Sequence, residues 1–327
     1  MNKIKNIGVL TSGGDAPGMN AAIRAVVRAG IYYDLKVTGI IRGYEGLVNG
    51  DFMEMDRKSV ANIIQRGGTI LKTARSETFK TVEGRQKAYD QLKANGIDAL
   101  VVIGGDGTFT GANIFGQEFN FPVIGLPGTI DNDLAGTDFT IGYDTAINTV
   151  INAVDKIRDT AESHNRLFIV EVMGRDSGLI ALRSGIGAGA EAILIPEAQT
   201  GIEGLINRLE HGRKDKASKI VIVAEGDDIG GGFKIGEILK ENFPSYDIRV
   251  SILGHIQRGG KPTCMDRVLA SRYGVSAVEG LLNGRSGEMV GQVNREIVFT
   301  PFGNAIKHID IEEVSPAWLK LVEILSL

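Results

Sequence analysis

The segments Gly-Gly-Asp-Gly-Thr at 104–108 and Pro-Gly-Thr-Ile-Asp-Asn-Asp at 127–133 hold the densest chemistry in this chain. Glycines around Asp106 remove the side chains that would keep a ligand away from backbone N–H groups. Thr108 is placed to cap a following helix, whose positive end favours phosphate. A carboxylate beside phosphate needs a cation, and hard oxygen ligands suit Mg²⁺. The second segment offers two more carboxylates, Asp131 and Asp133. Alone, each segment also reads as a glycine turn or as turn and capping chemistry. Together they describe a site where a magnesium nucleotide meets a second substrate.

The elements that must position these residues are legible as apolar runs. Ala99–Ile103 and Pro122–Leu126 each end in glycine chemistry, with a helix-length segment between them. This is the pattern of parallel strands in a doubly wound sheet, where ligands bind beyond the carboxyl ends. Both loops are therefore expected to face one cleft. An earlier unit repeats the pattern: strand Ile4–Leu10, the loop Thr-Ser-Gly-Gly-Asp-Ala-Pro-Gly at 11–18, then a helix over 19–32. The loop suits a phosphate, although no Lys-Ser/Thr follows it and it is not G-x-G-x-x-G. On that helix Ala22, Val26 and Ala29 form an apolar stripe, while Arg24 and Arg28 lie four apart on another face. The arginine pair fits either a solvated face or an anion site.

A second strand is expected at Lys36–Ile41, followed by a glycine-rich loop, Phe52–Met55, and a short helix after Arg57. A polar loop containing Arg75 precedes a helix over 83–95, and its guanidinium is free of any packing duty, so it could reach a phosphate. The spacing of 146, 150, 153, 154, 157 and 161 predicts a long helix over 145–163. Strands at Leu167–Val172, Lys219–Ala224 and Asp247–Leu253 then place Arg175, Glu225, His255 and Arg258 at equivalent tips. A helix over 265–282, a strand pair at 288–293 and 296–299, and a helix capped by Ser315-Pro316 complete the chain. The alternation predicts an α/β protein with two doubly wound, mainly parallel-sheet domains and the active site in the cleft between them. A boundary is expected near 138–140 and a return near Gly254.

The chain has 327 residues, enough for two domains, with 43% hydrophobic and 23% charged residues. A net charge of −4 gives nucleic acid no footing, and no apolar run is long enough for a membrane span. One cysteine, Cys264, excludes an intramolecular disulfide framework and a Cys-rich metal site, which fits the cytoplasm.

Five segments resemble, in family order, motifs of the bacterial ATP-dependent 6-phosphofructokinases: 11–20, 104–108, 127–133, Val-Glu-Val-Met-Gly-Arg at 170–175, and Leu-Gly-His-Ile-Gln-Arg-Gly-Gly at 253–260. The resemblance implies ATP-dependent phosphorylation of fructose 6-phosphate, a step of glycolysis. It implies an ATP site of Gly14, Arg75, Ser76, Gly105, Asp106, Gly107 and Thr108, with Asp106 on Mg²⁺. Asp131 would be the catalytic base, assisted by Arg75 and Gly14. Thr129, Ile130, Asp131, Met173, Gly174, Arg175, Glu225, His255 and Arg258 would bind the sugar phosphate, with Arg166 and Arg249 reaching it from a neighbouring subunit of a homotetramer. ADP or phosphoenolpyruvate would bind an effector site of Arg24, Arg28, Arg57, Arg158, Glu191, Lys214 and Lys216. The larger, ATP-binding domain would be 1–138 plus about 255–302, and the smaller, sugar-phosphate domain about 139–254 plus 303–327. Asp176 and Leu179 depart from the family's aromatic or His and its Asp, which bears on regulation. Glycine at 107 and 128, where pyrophosphate-using relatives carry Asp and Lys, implies ATP as the donor. A lipid or NAD kinase sharing only Gly-Gly-Asp-Gly leaves the later motifs unexplained, and a non-catalytic sensor would not need both Asp131 and Arg75.

Overall fold

The computed structural model describes residues 4–161, 166–198, 201–211, 218–306 and 316–325. In chain order the first elements are β1 (Asn6–Thr11), α1 (Met19–Tyr32), β2 (Lys36–Ile40), α2 (Gly43–Asn49), β3 (Phe52–Glu54), α3 (Val82–Ala94), β4 (Ala99–Gly104), α4 (Asp106–Phe119) and β5 (Val123–Pro127). Then come α5 (Tyr143–Ala161), β6 (Arg166–Val172), α6 (Leu179–Gly187), β7 (Ala192–Leu194), α7 (Gly201–His211), β8 (Ser218–Ala224), α8 (Gly231–Asn242) and β9 (Asp247–Ile252). The last are α9 (Cys264–Leu282), β10 (Glu288–Val293), β11 (Glu296–Pro301), α10 (Phe302–Ala305) and α11 (Pro316–Leu325).

These elements form two compact units. One comprises Met1–Ile130, Leu134–Thr145 and Arg258–His308; the other comprises Asp131–Asp133, Ala146–Gln257 and Ile309–Leu327. The first holds a seven-stranded sheet in the order β11-β10-β5-β4-β1-β2-β3. Its centre is parallel, and only the edge pairs β2/β3 and β10/β11 run antiparallel. Strands β1, β4 and β5 are buried along their whole length, as near-continuous apolar runs require when helices cover both faces. Each fully buried Val, Ile or Leu there contributes roughly 1.5–3 kcal/mol. The second unit has a four-stranded, wholly parallel sheet, β7-β8-β6-β9, with a core of Leu167, Ile169, Val221, Val223 and Ile235 among others.

Helix α1 covers the expected range, and its stripe of Ala22, Val26 and Ala29 is buried. It packs closely on α9: a side chain at Gly274 would lie 2.6 Å from Ala25 Cβ. Two expectations fail nearby. The stretch after Arg57 forms turns, not a short helix, and the glycine-rich loop before Phe52 is α2. Glycine masks this helix in sequence but is what lets it form, because a Cβ at Gly46 would sit 1.6 Å from the Ile41 carbonyl oxygen. Strand β7 is also new, being only three residues long. Ser315 lies outside the described residues, so the cap expected for α11 does too.

Helix α5 begins in the first unit and is anchored there by a buried carboxylate on α9. Asp266 Oδ1 accepts from Gly142 N–H at 2.8 Å, and Oδ2 accepts from Thr145 N–H at 2.8 Å and from the Thr145 hydroxyl. It thus meets N–H groups that the first turn of a helix leaves without partners. Thr263 caps α9 by accepting from Asp266 N–H at 3.2 Å and donates to Asp144 at 2.6 Å. Burial raises the Asp266 pKa from 3.8 to about 6, against the pull of its hydrogen bonds.

A carboxyl whose folded-state pKa is raised favours folding most fully below its unfolded value and loses that contribution as pH climbs through the folded value. The stability advantage of the parent over Asp266→Asn, followed by urea unfolding, should therefore shrink between pH 3.8 and about pH 6 and level off above. An advantage that grows with pH would show that the site stabilises the ionised form.

Candidate active site

In the first unit, three loops leave the carboxyl ends of adjacent parallel strands. Ser12 N–H donates to Ile103 C=O at 2.9 Å and Gly128 N–H to Gly104 C=O at 2.9 Å, so β1, β4 and β5 stay paired into their loops. Gly104 sits at the tightest point: a Cβ there would lie 2.3 Å from Thr108 Oγ1 and 2.5 Å from Ser12 O. Gly105 is the residue before α4, and its missing side chain would face Thr129 at 3.5 Å. Asp106 opens the helix and is half-buried. Gly107 is exposed, with nothing within 4 Å of where its Cβ would point. Its glycine is not demanded by packing.

Thr108 does not cap α4. The position before the helix is Gly105 and no side chain caps it, while Thr108 lies buried in the first turn. Its carbonyl accepts from the Tyr44 hydroxyl at 2.6 Å, and Tyr44 stacks on Phe79 with ring centroids 4.1 Å apart. The head of α4 is thus fixed from below, and burial pushes the Tyr44 pKa upward. With no side-chain cap at Gly105, the start of α4 presents the kind of helix terminus that favours an anion.

Gly14 is exposed on the first loop, and a Cβ on it would lie 2.7 Å from Arg258 Nη1. The structure therefore sets a proposed nucleotide glycine against a proposed sugar-phosphate arginine. Arg75 is exposed; Ser76 is half-buried, accepts from Phe79 N–H at 3.1 Å, and by hydrogen bonding holds Glu45 below the usual carboxylate range. Asn20 was not singled out in the sequence, yet its amide donates to Arg66 C=O and Gly67 C=O at 3.1 Å and accepts from Ile70 N–H at 2.8 Å. It shapes the loop that leads to Arg75. Only its position directly after the glycine loop hinted at this.

For a divalent cation the donor set is sparse: among the described residues no three His, Cys, Asp or Glu side chains cluster. Mg²⁺ suits such a place, since it is held by one or two carboxylates together with substrate phosphates and water. Asp106, beside the open backbone at Gly107, is the residue that would hold it.

The chain enters the second unit at Asp131, having left Thr129 and Ile130 in the first. Thr129 is buried, its carbonyl accepting from the Thr140 hydroxyl at 2.7 Å, and the Ile130 side chain is wholly buried, so only its backbone could meet a ligand. Asp131 is 3% exposed, with Arg175 Nε 3.9 Å from its Oδ2. Asp133 is half-buried. Arg175 follows β6 on a loop of unusual geometry. Gly174 has φ 147°, and Arg175 itself is left-handed at φ 52°. Glu225, at the tip of β8, accepts through Oε1 from Gly174 N–H at 3.2 Å and Arg175 N–H at 2.8 Å. Met173 N–H donates to Gln257 Oε1 at 3.3 Å, and Gln257 donates to Gly254 C=O at 3.0 Å. His255 is exposed in that same short 3₁₀ turn, Gly254–Arg258.

Arg166 and Arg249 fall elsewhere. Both bind one carboxylate, Asp247, through Nε at 3.1 Å and 3.2 Å. Arg249 first, then Arg166, holds that carboxyl below its usual range. Arg166 opens β6 and Arg249, the third residue of β9, pairs with Phe168, whereas Met173–Arg175 follow the carboxyl end of β6. Arg166 is six residue steps from that end, about 20 Å. One chain does not bring them together.

Among the effector candidates, Arg24, Arg28 and Arg57 belong to the first unit. Burial, and secondarily the charge of Arg28, lowers the Arg24 pKa, as two cations on neighbouring turns should. Arg158 and Glu191 belong to the second unit and have structural roles there. Arg158 Nη2 donates to Ala188 C=O at 2.5 Å, just past the end of α6, and Glu191 Oε2 accepts from Ile220 N–H at 2.5 Å. Lys214 and Lys216 lie outside the described residues. Asp176 is exposed and Leu179 is the first residue of α6.

Glycine-lined N–H groups beside a carboxylate on one parallel sheet, and charged loop tips on another, define an α/β protein that handles phosphorylated ligands. A family model described as phosphofructokinase matches residues 6–281. ATP-dependent 6-phosphofructokinase 2 of Bacteroides thetaiotaomicron is 60% identical over 309 residues, 94% of this chain and 95% of that protein. ATP-dependent 6-phosphofructokinase of Cytophaga hutchinsonii is 59% identical over 304 residues, 93% of each. Among solved structures, phosphofructokinase from Saccharomyces cerevisiae superposes with a TM-score of 0.89 at 37% identity, over 98% of this chain and 48% of that one. This chain spans about half the length of the yeast one. It belongs to the phosphofructokinase family.

The glycines of α4 and β4 separate packing from binding. Gly104→Ala meets backbone and should lower unfolding stability by about 1–3 kcal/mol. Gly107→Ala, in an open helical position, should leave stability unchanged or raise it by up to about 1 kcal/mol, while weakening ATP binding. Urea unfolding and nucleotide titration of both variants check this; unimpaired ATP binding in Gly107→Ala would remove that position from the site.

Proposed function

We propose that this chain transfers the terminal phosphoryl group of ATP to the 1-hydroxyl of D-fructose 6-phosphate, giving fructose 1,6-bisphosphate and ADP. The observation that carries the mechanism is the buried Asp131 carboxylate beside the Arg175 guanidinium, two residues along the chain from Thr129 above the glycine loop. Phosphoryl transfer passes through a loose transition state, so catalysis rests on positioning and charge. Gly14, Arg75, Ser76 and the N–H groups at Gly105–Thr108 hold the nucleotide. When bound at Asp106, Mg²⁺ neutralises phosphate charge. Asp131 takes the proton of the attacking hydroxyl, and the burial of its surroundings keeps water from competing. Thr129, the Ile130 backbone, Met173, Gly174, Arg175, Glu225, His255 and Arg258 hold the sugar phosphate. The first unit, Met1–Ile130, Leu134–Thr145 and Arg258–His308, takes mainly the nucleotide role, and the second mainly the sugar role. The enzyme works in the cytoplasm.

Assembly enters this reading through Arg166 and Arg249. Arg166 starts β6 and Arg249 lies within β9, both short of the carboxyl strand end that Arg175 follows, and in this reading they serve the sugar phosphate of a second copy within a homotetramer. Asp247 holds both guanidinium groups side by side until then. ADP or phosphoenolpyruvate would act at Arg24, Arg28 and Arg57 with Arg158, Glu191, Lys214 and Lys216. The mutual repulsion of Arg24 and Arg28 is what an anion there would relieve.

A coupled assay with ATP and fructose 6-phosphate tests the function, and Asp131→Asn tests the base. The variant should melt like the parent and bind both substrates, with kcat lower by roughly 10²–10⁴-fold. Asp133→Asn is the control, and equal losses from the two would return the segment to turn chemistry. Arg249→Ala should raise KM for fructose 6-phosphate far more than KM for ATP. A fully active monomer in sedimentation would defeat the shared site.

A further inference from the structure

Residues 173–178 join β6 to α6 along a path that ordinary loops avoid. Gly174 at φ 147° occupies backbone space closed to side chains, where a Cβ would also lie 2.2 Å from Ser177 O. Arg175 follows in the left-handed region, unfavourable for a residue with a Cβ. Such a conformation persists only where its surroundings over-determine it. Here they do so with acceptors from other elements: Gln257 takes Met173 N–H, Glu225 takes Gly174 and Arg175 N–H, and Glu197, beyond β7, takes Gly178 N–H at 2.7 Å through Oε1. One internal bond, Ser177 N–H to Gly174 C=O at 2.9 Å, closes the turn.

The proposed function gives no role to Gln257 or to Glu197, and Glu197 is the one of the two that holds the far end of the segment. Its Oε2 is buried and has no hydrogen-bond partner among the described residues. A Cβ on Gly178 would lie 2.4 Å from that oxygen and 2.4 Å from Ile195 Cβ, so the carboxyl group lies flat against a glycine that alone leaves room for it. Burial raises its pKa, opposed by the bond from Gly178. Retaining a carboxyl group in such a place disfavours its charge, and the contact it makes is with the last residue before α6.

We propose that Glu197 is a positioning residue for the sugar-phosphate half of the site: by holding Gly178 N–H it fixes the end of the 173–178 segment and thereby keeps Arg175 beside Asp131. This rests on the reading of Arg175 and Asp131 given above. Glu197 touches neither substrate nor the reacting atoms. Its oxygen acts as an acceptor, so an amide oxygen should replace it.

Three variants separate positioning from bulk stability. Glu197→Ala removes the acceptor, Glu197→Gln keeps one, and Gly178→Ala displaces the carboxyl group without altering it. Glu197→Ala and Gly178→Ala should each raise KM for fructose 6-phosphate about tenfold, equivalent to about 1.4 kcal/mol, with KM for ATP unchanged. Glu197→Gln should stay close to the parent. Amide hydrogen exchange without substrate should show faster exchange at Arg175 and Gly178 in the first two variants and parental rates in the third. Parental exchange and KM in Glu197→Ala, equal rises in both KM values, or a Gln variant as impaired as Ala would each overturn the proposal. If Glu197→Ala fails to fold, Gly178→Ala against Glu197→Gln decides it. A parent that does not turn over fructose 6-phosphate would sink the functional reading, while the exchange contrast would still judge Glu197.

Discussion

The handling of phosphate in this chain depends on how closely β1, β4 and β5 approach one another at their carboxyl ends. Parallel pairing continues past the strands into the loops, through Ser12 to Ile103 and Gly128 to Gly104. At that separation no side chain fits at Gly104, where a Cβ would press on the Ser12 carbonyl. Close pairing therefore forces glycine at the strand end, and glycine leaves the backbone of the next turn bare. The same bareness at Gly107 has no packing cause, because its Cβ direction is open. Two neighbouring glycines thus have different reasons: one lets the sheet close, and the other leaves space above α4. Gly128 is tight in a milder way, since a Cβ on it would lie 3.0 Å from Ile103 Cγ2 and 3.3 Å from Met19 Cε.

The second sheet solves a different problem with the same topology. Its loops are not glycine cradles but are suspended by side chains from neighbouring strands. Glu225 shows the economy of this arrangement, since one carboxylate oxygen serves two successive N–H groups and so fixes the turn from which Arg175 projects. Bonds from N–H to an ionised acceptor are stronger than neutral ones, which suits a segment whose own dihedral angles oppose it.

How much of this was legible depended on whether a residue's partner is local. The strands, α1 and the start of α9 were readable because apolar periodicity is a property of short stretches. Charged tips such as Arg175, Glu225 and His255 were readable because a parallel sheet sends every strand end to the same edge. Helix α2 was hidden by Gly43 and Gly46, whose reasons, the Thr11 carbonyl for the first and the Ile41 carbonyl for the second, are invisible in a propensity argument. Thr108 was misread because capping preference assumes the hydroxyl turns back on its own helix, whereas here it fills the gap at Gly104. Asn20 and Gln257 were read only as members of their motifs, with no role of their own, and Asp266 and Glu197 were not noticed. Each bonds backbone groups 19 to 124 residues away, and a single polar residue gives no sign of such a partner.

These residues share with Glu225 the role of holding backbone that carries exposed groups. Arg75, Arg175, Glu225 and His255, which the proposed function sets against ligands, are exposed, whereas the proposed base Asp131 is buried. Exposed side chains on loops are the least constrained parts of a fold, yet electrostatic stabilisation of a transition state requires them to be in place beforehand. Something buried must supply that constraint. Asp266 and Gln257, at 1% and 0% exposure, bind backbone instead of ligand: one fixes the first turn of α5, the other the start of the Arg175 loop. Buried polar groups in this chain accordingly concentrate where a strand or helix hands over to a functional loop. The precision of Arg175 is set by hydrogen bonds from the buried Gln257, the half-buried Glu197 and the exposed Glu225, all of them to backbone.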